Sequence, residues 1–105
     1  MTNIELLYFE GCPSWATAWA ELGRVVVETG TQATIRLRDI AELPEHERTG
    51  FAGSPTIRID GLDLEGYDGP SVLACRRYPQ NDGRGWPTRE QLRESLLAAA
   101  GGASG

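Results

Sequence analysis

The residues best equipped for chemistry are the two cysteines, Cys12 and Cys75. Cys12 stands in Tyr8-Phe9-Glu10-Gly11-Cys12-Pro13, where an apolar run gives way to a proline. Proline cannot continue a central strand, but its fixed φ suits the first position of a helix. Cys12 is therefore expected at a strand–helix junction. Unpaired N–H groups and the dipole of a first helical turn favour a thiolate there, and Glu10 opposes it by like charge. Cys75 precedes Arg76-Arg77-Tyr78, so two guanidinium groups lie beside the second thiol. Positive charge favours a thiolate and can hold an anionic substrate group, which makes Arg76 a candidate substrate-binding residue. Trp15 flanks Cys12 and is a candidate to shield or receive a substrate; otherwise Trp15 and Trp19 read as core. His46, between Glu45 and Glu47, reads as a solvated surface histidine.

Two thiols that meet have three options. They can form a reversible disulfide, which is oxidoreductase chemistry. They can bind a soft ion such as Hg(II), Cu(I) or Zn(II), with Cys12 and Cys75 as the metal ligands. With an acid such as Asp63 or Asp68 nearby, they can also cleave a carbon–metal bond. Whether Cys75 reaches Cys12 depends on how Tyr67–Arg84 folds back.

The elements that must position these groups follow from periodicity. Asn3–Phe9 alternates and ends apolar on both faces, the pattern of a central strand. From Pro13 the period lengthens: Trp15, Trp19, Leu22 and Val26 share a helix face, and Gly30 is its stop. Ala33–Arg38 alternates again with one charged face, as near a sheet edge. Pro44–Thr49 is at most a short polar helix. Thr56–Asp60 is a third strand, and Asp60-Gly61 turns it back through Leu62–Leu64. Tyr67–Trp86 is broken by Gly69-Pro70, Asn81-Asp82-Gly83 and Gly85. Thr88 and Gln91 form a capping box for a last helix with Leu92 and Leu96 on one face. The expectation is an α/β fold of order β-α-β-α-β-β-α, a mixed sheet with helices on both faces. Residues 1–100 form one domain, and 101–105 a disordered tail.

Tyr8-Phe9-Glu10-Gly11-Cys12-Pro13 after a first strand, with Gly53-Ser54-Pro55-Thr56 before a hairpin, resembles the thioredoxin-like superfamily. More closely, the chain is similar to small bacterial proteins with Gly-Cys-Pro, Gly-Ser-Pro-Thr and Cys-Arg-x-Tyr motifs. Some of these are filed as thioredoxin-like and some as alkylmercury-lyase-like. The resemblance implies that Cys12 is the nucleophile and Pro55 a cis-proline. It also implies that the backbone at Ser54 pairs with a bound substrate chain or thiol compound. One departure matters: Trp15 occupies the place of the second cysteine in Cys-x-x-Cys, so either the protein works through one thiol or the resolving thiol comes from elsewhere, Cys75 being the candidate within the chain.

Composition sets the surroundings. The chain has 105 residues and a net charge of −5. All ten basic residues are arginine. Acidity argues against nucleic acid or an anionic membrane as partner. The missing lysine excludes Schiff-base chemistry and a P-loop. No run approaches the ~18–20 apolar residues of a spanning helix. The N-terminal run lacks a basic region and carries Glu5, unlike a signal peptide. The expectation is a cytoplasmic thiol-dependent redox protein without cofactor, using the Cys12 thiolate in exchange with a small thiol or a protein disulfide or in reduction of a small electrophile. The alternatives are a soft-metal or organomercurial-handling protein, or a non-catalytic interaction domain.

Overall fold

A computed structural model describes residues 1–104, and side chains as far as residue 100. Strand β1 (Thr2–Tyr8) leads into helix α1 (Ser14–Thr29), then strand β2 (Ala33–Asp39), β3 (Thr56–Ile59), β4 (Leu62–Asp63) and helix α2 (Arg89–Ser104). The disordered tail expected at 101–105 falls on this margin: α2 is drawn to Ser104, and Gly105 lies outside the described residues.

The sheet order is β2-β1-β3-β4. β1 runs parallel to β2, with Ile4 opposite Ile35, and antiparallel to β3, with Leu6 opposite Ile57. The sheet is therefore mixed, β1 is internal and β2 is an edge. Asp60 (φ 52°) and Gly61 (φ 83°) make the two-residue turn between β3 and β4. α1 ends at Gly30 in the left-handed conformation, whose N–H groups with Thr31 reach back to Val26 and Val27. At α2 the Thr88 hydroxyl accepts the Gln91 N–H at 3.0 Å. The other half of the capping box is not made, because the Gln91 side chain is buried and bonds Glu65 instead.

The expected placement of helices needs correction. Ile4, Leu6, Ile57 and Ile59 share one core with Ala18, Leu22 and Val25 of α1 and with Leu92 and Leu96 of α2. Both α-helices thus lie on one face of the sheet. The opposite face carries Leu7, covered by Ile40 and Leu43 from one short 3-10 turn and its C-cap and by Phe51 from a loop. Those segments bury three large side chains without an α-helix, and Phe51 packs edge-on to Phe9. On α1 the buried stripe is Ala18, Leu22 and Val25; Trp15, Trp19 and Val26 form its half-buried border.

Candidate functional site

The site is built around Ser54. After β1 the chain turns sharply, with Cys12 N–H donating to Phe9 C=O at 3.3 Å. The Phe9 N–H donates to Ser54 Oγ at 3.3 Å. The Cys12 thiol donates to Ser54 C=O at 3.4 Å. The Ser54–Pro55 bond is cis, as the resemblance implied. Thr56 braces this loop, donating to Gly53 C=O at 2.7 Å and accepting the Ala52 N–H.

A strap of extended chain, residues 69–78, closes over the loop. Gly50 N–H donates to Gly69 C=O, Val72 N–H to Phe51 C=O, Ser54 N–H to Ala74 C=O and Arg76 N–H to Ser54 C=O, all at 2.8–2.9 Å. Ser54 and Cys75 form a parallel β-bridge. This corrects the expectation for Ser54. Its backbone N–H and C=O, which the resemblance assigns to a substrate, are engaged by the protein's own strap. The strap approaches Gly53 closely enough that a Cβ there would stand 2.7 Å from Ala74 C=O.

The strap also answers where Cys75 lies. It meets Cys12 across Ser54, and both cysteines are free thiols. They differ in access: Cys12 is fully buried, whereas Cys75 is exposed. A hydrogen bond with Cys12, some burial and the like charge of a Cys12 thiolate push the Cys75 thiol up, and Arg77 opposes them. Replacing Cys12 by Ala removes the largest cause. The pH profile of Cys75 alkylation should then move to lower pH, giving faster reaction at neutral pH; iodoacetamide rates against pH check this.

Arg76 is the second correction. Its guanidinium is not offered to an anionic substrate. The side chain is 5% exposed and grips Asp63, itself 1% exposed, through both oxygens at 2.5 and 2.7 Å. It also reaches Glu65 at 3.2 Å and lies over the Tyr78 ring at 4.7 Å. Burial would weaken the charge on Arg76, but Asp63, Tyr78 and Glu65 more than offset it. Burial likewise raises Asp63, and the Arg76 bonds and charge with the N–H groups of Glu65 and Tyr67 outweigh it, so Asp63 is held below the usual carboxylate range. A carboxylate so held is no proton donor, which removes Asp63 as the acid of carbon–metal cleavage. Trp15 is half-buried and stacks on Tyr8, centroids 4.4 Å apart, so its ring is committed to the edge of the core. His46 is exposed, as expected.

Sequence reasoning missed Tyr78. It is fully buried and its hydroxyl donates to Pro55 C=O at 2.7 Å. Burial pushes its phenol well above the ordinary value. The signal was present: Arg76 and Tyr78 are two apart, so in an extended segment they share a face, opposite Cys75 and Arg77. Among the described residues, no group of three or more His, Cys, Asp or Glu is arranged to hold a metal ion. No described helix is long and apolar enough to cross a membrane. The fold and site together define an α/β domain with a mixed four-stranded sheet and two thiols joined across one loop. Compared with family models, curated proteins and solved structures, the chain matches none.

Proposed function

We propose that this chain is a thioredoxin-like, cytoplasmic thiol–disulfide redox protein whose working pair is Cys12 and Cys75. The observation that carries the reading is that these two free cysteines, distant in sequence, are both held to Ser54, Cys12 by its thiol and Cys75 by its backbone. Their unequal exposure suggests an order of events opposite to the one the resemblance implies. Exposed Cys75 first loses its proton to solvent and, as thiolate, attacks a disulfide R–S–S–R′ of the partner. A mixed disulfide Cys75–S–S–R forms, and R′–S⁻ leaves and takes a proton from solvent. Buried Cys12 then loses its proton to solvent and attacks the Cys75 sulfur. R–S⁻ leaves and is protonated in turn. Two electrons pass from the dithiol to the partner, which ends as two thiols.

The test is equilibration in glutathione buffers followed by mass spectrometry of the intact protein. The expected product is an intramolecular disulfide, lighter by about two hydrogens per chain. Cys12→Ser should instead hold a stable mixed disulfide on Cys75, and Cys75→Ser should form neither. Absence of the intramolecular bond at every glutathione ratio would sink the reading.

A second reading has its own observation. Two thiols without a third arranged ligand among the described residues suit a linear soft cation such as Hg(II) or Cu(I) better than tetrahedral zinc. Tight one-to-one Hg(II) binding in a protein that will not oxidise would favour it.

A further inference from the structure

We infer that the Asp63–Arg76 ion pair is a latch that holds the strap shut over Cys12 and positions Cys75 beside it. Arg76 follows Cys75 directly, so a fixed guanidinium fixes the thiol next to it. The latch joins two pieces of chain that share no other regular structure: Asp63 ends the β3–β4 hairpin, and Arg76 belongs to the strap. Its geometry is that of a fork on a carboxylate, which defines orientation as well as distance. Around it, Thr56, Glu65 and the Tyr78 ring occupy the remaining sides of the guanidinium. Tyr78, whose ring lies against Arg76, bonds Pro55 C=O in the same loop. The strap is thus fastened by backbone at Gly50, Phe51 and Ser54, the last pair of bonds flanking Cys75, and by the Arg76 side chain at Asp63. Arg76 is a positioning residue here; it need touch no substrate.

The latch stands whether or not the two thiols exchange electrons. The experiment measures alkylation of Cys12 in folded protein on a Cys75→Ser background, so that only one thiol reports. Asp63→Asn should raise the Cys12 labelling rate by roughly tenfold or more over a control of equal thermal stability, because strap opening is a local event. Val25→Ala, a cavity in the core of α1, is that control. A merely structural Arg76 would change labelling only through global unfolding. In that case latch and control variants of equal melting temperature would label alike, and the inference would be overturned. Arg76→Lys keeps the charge and loses the fork, so its labelling should fall between wild type and Asp63→Asn. It carries the test if Asp63→Asn does not fold, and a wild-type labelling rate in Arg76→Lys would also refute the latch. With both cysteines present, Arg76→Lys should in addition weaken the intramolecular disulfide in glutathione buffers. A wild type that never oxidises defeats the redox reading alone, since the labelling result does not depend on it.

Discussion

Gly53→Ala should be among the most damaging single substitutions in this protein, although it adds one methyl group. Gly53 has φ +107°, a conformation that side-chain-bearing residues rarely adopt. Its Cβ would also stand 2.7 Å from Ala74 C=O and 3.2 Å from Arg76 N, both backbone atoms of the strap. Neither can swing aside as a flexible side chain would. To make room, the strap must lift and give up the Ser54–Ala74 and Arg76–Ser54 hydrogen bonds. Backbone strain costs ~1–3 kcal/mol, and lost buried hydrogen bonds add about 1 kcal/mol each. A total of about 3–5 kcal/mol lowers the melting temperature of a domain this size by about 12 °C or more. Gly30→Ala provides the comparison. Gly30 also has positive φ (+66°), but nothing lies within 4 Å of its Cβ position. It should cost only ~1 kcal/mol. Equal melting temperatures for the two variants would show that the strap does not abut Gly53.

Arg76→Met should destabilise to a similar or greater degree, for an electrostatic reason. It leaves Asp63 buried without its partner, and breaking a buried pair in this way costs about 3–5 kcal/mol. Replacing both partners, Asp63→Leu with Arg76→Met, should recover a large share, because no orphaned charge remains. Glu65→Gln, on the more exposed arm, should cost no more than about 1 kcal/mol. Urea midpoints at neutral pH measure all three. The pH dependence gives a further check on sign. In wild type the folded Asp63 titrates below its unfolded value, so the pair stabilises above that unfolded value and is lost as pH falls through the lower one. In Arg76→Met burial is opposed only by the Glu65 and Tyr67 N–H groups, so Asp63 moves up from its wild-type position. That variant therefore suffers most at neutral pH, and its deficit against wild type should shrink as the medium is acidified. A deficit independent of pH would mean that packing, not charge, holds the strap.

The parts of this structure legible in the sequence are those specified by neighbours in the chain. Alternation marked β1, Pro13 and Gly30 bracketed α1, Asp60-Gly61 set the hairpin and Thr88 capped α2. The Cys12 junction and the Ser54–Pro55 loop were visible for the same reason. The strap was not. Its order comes from backbone bonds to residues about 20 positions away and from a carboxylate 13 positions upstream. No periodicity announces such partners, so Arg76 read as a free cation beside a thiol when it is a buried one beside Asp63. The second face of the sheet was misjudged for a related reason. Ile40 and Leu43 cover it from one 3-10 turn too short to show a helical repeat, and Phe51 from a loop.

The meeting of Cys12 with Cys75 has a consequence for folding itself. A bond between them would close a ring holding α1, β2, β3 and β4, with β1 and α2 outside it. A ring of roughly 60 residues removes about 4 kcal/mol of conformational freedom from the unfolded chain. Around a thermodynamic cycle, the amount by which oxidation stabilises folding equals the amount by which folding favours oxidation. The native chain would hold its disulfide against reductant roughly a thousandfold better than the same chain unfolded, the equivalent of those ~4 kcal/mol. Denaturant resistance and redox poise are then two readings of one linked equilibrium, and whatever loosens the fold also makes the ring easier to reduce.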